Sequence, residues 1–434
     1  MVLPIMKIIN ILQKRNNMKA NNLILPNGEL LLGNFEFNQE KKQWSTFSPI
    51  KIIEEYDGKA MFSIMPVVDM HFHGVKDIDF SDLKNFSLEK TNYELKKEGI
   101  IGIPTIYVPK NEFSDLIELL NNFLRLKKER KLKNIGGFSL EGPVLSSIGG
   151  TPTEAAWIPS IKDWEYLLSS CGDAIIYIVL SPDITLTNLN ISEDYMKELI
   201  NLLLKYQVYP ALGHFVKEHP AESAHKVRKI IDMVTSKTDS NINKIITDHL
   251  LNDMPVNIKY SWRTKLEKKT RNEEALEKEL SKLNLQDTKK YFGDVPFSII
   301  ENSVQEKALA FINADGDHVD KTIVKHLIRI IQPKNIIIMT DRSKSLLLAK
   351  RKLNSNKENT LLYQEKGIVA CGTQSIEQQI HNLFEMGLNT YDILQMFSLN
   401  PYKLLERSSK NILLDIPILP SVFIKDKNIK FLYN

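Results

Sequence analysis

The sequence predicts an α/β fold: a (β/α)8 barrel of the TIM type with a small β domain that both chain ends build. Three observations support this. From about residue 66 onward, short β-branched runs alternate with longer segments whose apolar residues have helical spacing. Eight such runs occur, the number that closes a barrel. Runs bounded by turn residues lie outside this alternation at both ends of the chain.

The eight β-branched runs are predicted as parallel barrel strands. They are Val67–Met70, Ile101–Thr105, Ile135–Leu140, Ile175–Leu180, Val208–Leu212, Lys244–Thr247, Ala308–Asn313 and Ile336–Thr340. Segments such as Glu112–Lys131 and Glu193–Tyr206 lie between them and carry apolar residues at helical spacing. These segments are predicted as the outer helices.

The two chain ends are predicted to form one small β domain. Residues 20–65 contain short strand patterns with a turn signal at Asn27-Gly28, and Ser421–Tyr433 is predicted as a hairpin. We therefore assign 1–65 with 411–434 to the small domain and 66–410 to the barrel. The charges of the first 19 residues mostly follow the apolar stretch, the reverse of a signal peptide, so a short amphipathic helix or a partly ordered terminus is expected.

The composition is that of a globular chain with balanced charge. The 434 residues include 57 Lys and Arg against 53 Asp and Glu, a formal charge of +4. Nucleic acids and anionic membranes select a one-signed surface, so neither is expected as a partner. No apolar run approaches the roughly 18 residues that span a bilayer. The two cysteines, Cys171 and Cys371, lack metal-ligand spacing and are interpreted as structural residues of a cytoplasmic protein.

A charged segment interrupts the barrel pattern after the sixth strand. Half of the 30 residues from 261 to 290 are charged, which predicts an insertion at about 258–293. It is interpreted as a solvated helical insertion. The alternative is a lid or an interaction surface, because the insertion follows a strand that ends in a candidate metal ligand.

The segment Asp69-Met70-His71-Phe72-His73-Gly74 directly follows the first predicted strand. In an extended chain, residues two apart face the same side, so His71 and His73 can point at one ion above the barrel mouth. Alone, this pattern fits a packing or surface role about equally well.

Further ligand types recur at the ends of other predicted strands. They are Glu141 after the third, His214 after the fifth, His249 after the sixth and Asp341 after the eighth. A barrel brings these ends into one small circle. The sequence therefore predicts a site for one or two divalent ions. Zinc is the default, and iron, manganese or cobalt would accept the same ligands.

A divalent ion lowers the pKa of water to about 7–9 and polarises a carbonyl, so the site predicts hydrolysis. Asp341 is the candidate acid and base; a helix N-cap is the alternative for a Thr-Asp pair. His318, just past the seventh strand, is a candidate to bind the substrate or polarise its carbonyl, with a surface histidine as the alternative.

Several segments resemble the N-acetylglucosamine-6-phosphate deacetylases of the amidohydrolase superfamily, in that family's order, over residues 60–405. The matching segments are Asp69–Gly74, Leu140-Glu141-Gly142-Pro143, Leu212-Gly213-His214, Asp248–Met254, Ala314–Asp320, Thr340-Asp341 and Leu399-Asn400-Pro401. The resemblance implies a metal-dependent barrel, commonly dimeric, that removes acetyl from an amino sugar phosphate, so we expect a homodimer.

The resemblance also implies a role for individual residues. Glu141, His214 and His249 would bind the main ion, His71 and His73 would help to hold a second, and Asp341 would be the acid and base. The residues that would contact the substrate are His318, Asn252 and the backbone around Cys371, Gly372 and Thr373.

Three segments depart from the family pattern and bear on substrate recognition. An arginine-containing segment that holds the sugar phosphate is replaced by Pro255-Val256-Asn257 and the insertion, where Arg263 or Lys265 are the candidate substitutes. Gly149-Gly150-Thr151-Pro152-Thr153 replaces the substrate loop, which makes Thr151 a candidate contact. Asp253 replaces a small residue beside Asn252 and adds negative charge to the substrate site.

The leading hypothesis is a metal-dependent deacetylase in which metal-bound hydroxide attacks the amide of an N-acetylated amino sugar or its phosphate. The first alternative is an amidohydrolase that acts on a non-phosphorylated N-acyl compound. The second, from a different class, is a binding protein that keeps the barrel but has lost catalysis.

Overall fold

The computed structural model describes residues 17–189, 191–237, 244–407 and 419–433. The predicted helix or partly ordered terminus at the chain start lies outside the described residues, as does the proposed domain boundary at residue 411. No helix among the described residues is long and apolar enough to cross a bilayer.

The described chain alternates strands and helices. The strands are β1 Asn17–Ile24, β2 Leu30–Asn38, β3 Gln43–Ile53, β4 Met61–Ser63, β5 Val68–Phe72, β6 Gly74–Val75, β7 Ile78–Asp79, β8 Ile101–Ile106, β9 Phe138–Glu141, β10 Ile175–Leu180, β11 Tyr209–Leu212, β12 Ile245–His249, β13 Ala308–Asn313, β14 Ile336–Met339, β15 Leu347–Leu348, β16 Arg351–Lys352, β17 Asn354–Ser355, β18 Leu361–Tyr363, β19 Val369–Gly372, β20 Val422–Lys425 and β21 Asn428–Phe431.

The α-helices are α1 Leu88–Glu98, α2 Phe113–Lys128, α3 Ile161–Cys171, α4 Glu193–Lys205, α5 Pro220–Thr235, α6 Lys265–Thr270, α7 Glu273–Leu280, α8 Asp287–Phe292, α9 Asp294–Val304, α10 Lys321–Ile331, α11 Ile376–Glu385, α12 Thr390–Leu394 and α13 Asn400–Arg407. Local sequence sets several of their ends. Ser87 caps the start of α1, and Gly99, at φ 69°, ends it in the left-handed conformation.

Eight parallel strands form the barrel, which confirms the predicted fold class. Their order is β14-β13-β12-β11-β10-β9-β8-β5. The chain after β14 closes the ring onto β5: the Asp341 amide donates to His71 O at 2.9 Å, and the His73 amide donates to Arg342 O at 2.8 Å. All eight predicted strands therefore exist and lie side by side.

The strand ends differ from the prediction in a way that concerns the candidate ligands. Glu141 and His249 are the last residues of β9 and β12, and His71 lies inside β5, so these side chains belong to the strands themselves. The third strand begins later than predicted. Gly137, at φ 141°, interrupts the extended chain after Ile135, which forms only an isolated bridge to Gly102.

Both chain ends contribute to one six-stranded sheet, as predicted. Its order is β21-β20-β4-β1-β2-β3, with β20 antiparallel to β4. Asn27-Gly28 forms the turn between β1 and β2, with Gly28 at φ 89°. The sheet has its own apolar cluster, which includes Phe35, Phe37 and Phe62.

The predicted insertion is helical and packs beside α10. It contains α6, α7 and α8. Arg271 donates to Asp320 Oδ1 at 2.7 Å, and Glu277 contacts Lys325 at 2.7 Å and His326 at 3.1 Å. Cys171 and Cys371 are both free and buried, as their structural interpretation requires.

Candidate active site

The ligand types predicted from the strand ends converge at the mouth of the barrel. His71 and His73 project from the first barrel strand toward Glu141 of the third: their Nε2 atoms lie 3.2 and 3.3 Å from Glu141 Oε2. All three side chains are no more than 3% exposed. The two histidines therefore face one carboxylate, as their spacing predicts.

A first group of donors surrounds the other Glu141 oxygen. His214 Nε2 lies 2.8 Å from Glu141 Oε1, and His249 Nε2 lies 3.9 Å from it. Asp248, which the sequence analysis did not single out, joins this group at 3.3 Å from His249 Nε2. One donor atom from each of these four buried residues lies within 4.8 Å of the others.

A second group contains His71, His73 and Asp341, whose donor atoms also lie within 4.8 Å of one another. Asp341 Oδ1 is 3.2 Å from His73 Nε2 and 4.0 Å from His71 Nε2. The Asp341 backbone is left-handed, at φ 47°, and its carbonyl accepts the Gly372 amide. No helix begins at this position among the described residues, so the N-cap alternative for Asp341 is wrong.

The donor set fits a divalent ion, because several buried polar atoms of these groups have no hydrogen-bond partner among the described residues. They are His71 Nε2, His73 Nδ1, Glu141 Oε2, His249 Nδ1 and both carboxylate oxygens of Asp248. Buried polar groups are normally paired, and imidazoles with carboxylates are ligands of zinc, iron, manganese and cobalt.

The carboxylates dominate the electrostatics of the site. Burial lowers the pKa of His71, but the facing Asp248, Glu141 and Asp341 raise it to about 9. Burial raises the pKa of Glu141, yet its contacts with the histidines hold that pKa well below its usual range. The site therefore concentrates negative charge, which a cation neutralises.

Tyr177 fixes the ring of His71. The Tyr177 hydroxyl donates to Met70 O at 2.8 Å and lies 3.0 Å from His71 Nδ1, so it can accept the proton of that nitrogen. When the ring is neutral, as metal binding requires, Nε2 carries the lone pair. Tyr107 contacts His73 in two ways. The two rings stack with their centroids 4.7 Å apart, and the Tyr107 hydroxyl lies 3.3 Å from His73 Nε2.

His318 is buried, at 1% exposure, so the surface alternative is wrong. Its Nδ1 lies 2.6 Å from Asp315 Oδ2, and its Nε2 lies 3.4 Å from Asp341 Oδ2. Asp315 also accepts the backbone amides of Asp317 and His318 at 2.8 Å each. The Asp-Gly-x-His spacing was the available signal for this turn, which orients the imidazole.

A cavity of about 600 Å³ lies above the ligand groups. The predicted substrate residues Thr151, Asn252, Asp253, Arg263 and His318 line it. The other predicted substrate residues are not part of the lining: Cys371, Gly372 and Thr373. A Cβ on Gly372 would be 3.1 Å from both Asp315 and His318, so its backbone backs the His318 ring.

Two lining residues carry charge in a defined arrangement. Asp253 contacts His214 Nδ1 at 3.2 Å and Lys217 Nζ at 2.9 Å. Burial raises its pKa, but these two partners hold it well below the usual range. Arg263 enters the lining with its Nε donating to Asp317 O at 3.3 Å, whereas the alternative candidate, Lys265, is not among the lining residues.

Comparisons by sequence and by structure give different results. No family model and no curated protein matches the chain by sequence. Among solved structures, the N-acetyl-D-glucosamine-6-phosphate deacetylase of Mycobacterium smegmatis is 16% identical, with a TM-score of 0.62 over 95% of this chain and 99% of that one.

Two further solved structures have a similar fold. A mutant of the Mycobacterium smegmatis enzyme in complex with N-acetyl-D-glucosamine-6-phosphate is 14% identical, with a TM-score of 0.62 over 95% of this chain and 98% of that one. The Thermotoga maritima deacetylase is 16% identical, with a TM-score of 0.57 over 95% and 99%. The resemblance found in the sequence therefore holds for the whole architecture: this chain has the fold of the N-acetylglucosamine-6-phosphate deacetylases.

Proposed function

We propose that the chain is a metal-dependent amide hydrolase that removes acetyl from an N-acetylated amino sugar, with N-acetylglucosamine-6-phosphate as the first substrate to assay. The observation that carries the proposal is one cavity floor that combines two groups of buried metal-ligand atoms with Asp341 and His318. The names of the solved structures with the same fold support the reaction and the substrate class.

The residues that would hold the metal follow from the two groups. Glu141, His214 and His249 would hold one ion, and His71 with His73 a second. Zinc is the first metal to test, and iron, manganese or cobalt accept the same donors. When bound, a divalent ion supplies an activated water at neutral pH and polarises the amide carbonyl.

Asp341 is positioned to move the proton that amide hydrolysis requires. Its Oδ1 faces His73 in the second ligand group, and its Oδ2 faces His318 at 3.4 Å. It also lines the cavity. Its carboxylate would take a proton from the attacking water and give it to the departing nitrogen, so that water and amide become acetic acid and amine.

His318 is positioned to bind the acyl group. Asp315 accepts the Nδ1 proton, so Nε2 is the atom that points toward Asp341 and the cavity. Burial lowers the pKa of His318, but the carboxylates of Asp315 and Asp341 raise it above its usual value. In its protonated form the ring can donate the Nε2 proton to a carbonyl oxygen as negative charge develops there. His318 would thus orient the amide between Asp341 and the ligand groups.

Whether the substrate carries a phosphate depends on the cations of the lining. Arg263 and Lys217 lie in the lining, but Lys217 already pairs with Asp253. Arg263 is therefore the residue proposed to bind an anionic group, and a non-phosphorylated N-acyl compound is the alternative substrate. The complete set of metal-ligand residues disfavours the third possibility, a binding protein without catalysis.

The test measures acetate release by metal-reconstituted protein from N-acetylglucosamine-6-phosphate and from free N-acetylglucosamine, with metal content determined on the same sample. Selective turnover of the phosphate would support Arg263 as the anion clamp. Turnover of both sugars at similar kcat/KM would leave deacetylation in place and contradict the clamp.

Two other outcomes would count against the proposed function. Bound metal without turnover of either sugar would contradict the substrate class and favour another N-acyl compound. Protein that binds no divalent metal and stays inactive after zinc or iron is added would contradict the hydrolase itself and favour a binding protein.

Assembly and location are proposed on the same basis. We propose a homodimer because the resembling family is commonly dimeric, and a cytoplasmic protein because both cysteines are free and buried. Mass photometry and cell fractionation test these two statements. The division into 1–65 with 411–434 and 66–410 is likewise proposed, and limited proteolysis near residue 411 tests it.

A further inference from the structure

Asp248 is a carboxylate in an unusual position. Its side chain is fully buried inside the barrel, and the side-chain groups that face its oxygens are imidazole nitrogens at 3.3–3.5 Å, without a hydrogen bond of normal geometry. An ionised carboxylate buried in this way costs several kcal/mol unless a cation or donors compensate it. The position therefore requires a counter-charge.

Asp69 provides a matched comparison in the same barrel. It is equally buried, but its carboxylate accepts the Thr340 hydroxyl at 2.7 Å, the Thr340 amide at 3.3 Å and Arg342 Nε at 3.2 Å. Asp69 thus has a complete set of partners within the chain, whereas Asp248 has only imidazoles around it.

Two imidazoles face the same oxygen of Asp248, and a third, that of His71, faces the other oxygen, with Nδ1 3.5 Å from Oδ1. Asp248 Oδ2 is 3.3 Å from His249 Nε2 and 3.5 Å from His214 Nε2, the same two nitrogens that face Glu141 Oε1. A tetrahedral ion with bonds of about 2.0–2.1 Å has its ligand atoms about 3.3 Å apart. The two Asp248 separations match that spacing, and the distances from Glu141 Oε1 to the same two nitrogens, 2.8 and 3.9 Å, lie on either side of it.

Gly213 makes room for this carboxylate. A Cβ at Gly213 would lie 2.6 Å from Asp248 Cβ and 3.0 Å from Asp248 Oδ2. A side chain there would displace Asp248 from the His214 and His249 nitrogens. Asp248 lies outside the cavity lining, while Glu141, His214 and His249 belong to it. Asp248 therefore approaches the group from the barrel interior, opposite the cavity.

We propose that Asp248 is a fourth protein ligand of the ion held by Glu141, His214 and His249. The proposal rests on the metal-dependent function proposed above and extends it. Two carboxylates would neutralise a divalent charge, and the ion would have two nitrogen and two oxygen ligands from the protein. Water or substrate would then bind as a fifth ligand from the cavity. Protonated imidazoles are the alternative counter-charge for Asp248.

The experiment compares metal binding by the full chain and its Asp248→Asn variant. Zn²⁺ affinity is measured by competition with a chelator, metal per chain by mass spectrometry after dialysis, and thermal unfolding with and without Zn²⁺. We expect Asp248→Asn to weaken Zn²⁺ binding more than 100-fold, to lose one ion per chain, and to reduce the metal-induced rise in Tm.

Two control variants distinguish a metal ligand from a residue that contacts a ligand and from a buried structural carboxylate. Asp253→Asn removes a carboxylate that contacts His214 on its other nitrogen, and such outer contacts change affinity by about 10- to 100-fold without loss of an ion. Asp69→Asn removes an equally buried carboxylate, so it should lower Tm with and without metal while affinity changes less than threefold. Asp248→Ala repeats the test where the Asn variant fails to fold.

Direct observation completes the test. Anomalous diffraction from Zn²⁺-loaded crystals should place an Asp248 oxygen about 2.0–2.2 Å from an ion. An ion without that contact, or Asp248→Asn affinity within tenfold of the wild type, would overturn the proposal. A wild-type chain that binds no metal would overturn both this proposal and the hydrolase. Metal binding that depends on Asp248 without acetate release would support the ligand and contradict the deacetylase.

Discussion

The floor and the roof of the cavity are built in different ways. The floor consists of the two ligand groups, which project from the ends of barrel strands and are at most 9% exposed. The roof includes residues 260 and 263 of the insertion 258–293 and residues 364 and 367–370 of the segment 347–372. The two segments are joined through exposed contacts such as Lys265 N to Glu358 Oε2 at 3.1 Å. The barrel therefore places the chemistry, and the loops decide what reaches it.

One buried carboxylate fastens the roof to the floor. Asp317 accepts Lys268 Nζ from the insertion at 2.8 Å through one oxygen. Its other oxygen accepts the Thr360 amide and hydroxyl, each at 2.8 Å, from the segment 347–372. Because Asp317 precedes His318, the roof is attached beside a floor residue.

The largest expected effect is on the floor. Asp341→Asn should lower kcat by about 10²–10⁴-fold, because it removes the acid and base, while the ion held by Glu141, His214 and His249 stays bound. Steady-state acetate release with metal analysis measures this. Asp232→Asn, an exposed change at a surface ion pair with Lys307, is the control and should retain full activity. Near-normal turnover by Asp341→Asn with metal bound would contradict the mechanism.

The second effect is on the stability of the floor. Arg342 is fully buried and pairs with Asp69 at 3.2 Å and Glu98 at 2.6 Å. Arg342→Met should cost about 3–5 kcal/mol of unfolding free energy, because it leaves a buried carboxylate uncompensated. Lys344→Met, which removes a half-exposed contact with the same Glu98, should cost less than about 1 kcal/mol. Denaturant unfolding of both variants measures the difference, and equal losses would contradict it.

The third effect is on the roof and depends on the substrate. Arg263→Gln should raise KM for a phosphorylated substrate about 10- to 100-fold, because a hydrogen bond to a charged group contributes about 1.5–3 kcal/mol. KM for the free sugar should not change. Lys265→Gln removes the same charge two residues away, outside the cavity lining, and is the matched control. Equal effects of Arg263→Gln on both sugars would show that it does not bind the phosphate.

The smallest effect is on the contacts of Asp317, which attach the roof to the floor. Asp317→Asn should weaken the attachment of the roof by about 1–2 kcal/mol, because it exchanges a charged acceptor of three hydrogen bonds for a neutral one. Hydrogen exchange should become faster in residues 258–293 and 354–363 and stay unchanged in the barrel strands. Glu358→Gln, at an exposed roof contact, should have less effect. Uniformly faster exchange would indicate global destabilisation instead.

Much of the fold, and every ligand residue of the floor except Asp248, could be predicted from the sequence. The eight strands and the hairpin at the chain end follow from apolar periodicity and turn residues, which act over a few neighbours. The insertion follows from its density of charged residues. His71 and His73 could be paired because two residues apart in a strand face the same side. Positions at strand ends then predicted that a barrel brings together Glu141, His214, His249 and Asp341.

The partners of these residues could not be predicted, because they come from distant segments. Tyr177 reaches His71 from the fourth barrel strand, and Tyr107 stacks on His73 from the loop after the second. Arg263 reaches the lining while Lys265 does not, although the two are nearly adjacent in the sequence. Such choices depend on how the insertion packs against the loop that contains Asp317.

Asp248 shows where prediction from local sequence patterns ends and where only the tertiary structure decides. The sequence by itself determined a strand at Lys244–Thr247 and a candidate ligand, His249, after it, because local patterns encode both. Those patterns did not single out Asp248. In the barrel, two residues of β12, Thr247 and Asp248, lie opposite one residue of β13 between the pairs at Ile246 and His249, and this bulge turns both Asp248 and His249 toward the ligand group. Only the tertiary structure decided that, because the register of a bulge depends on the neighbouring strand.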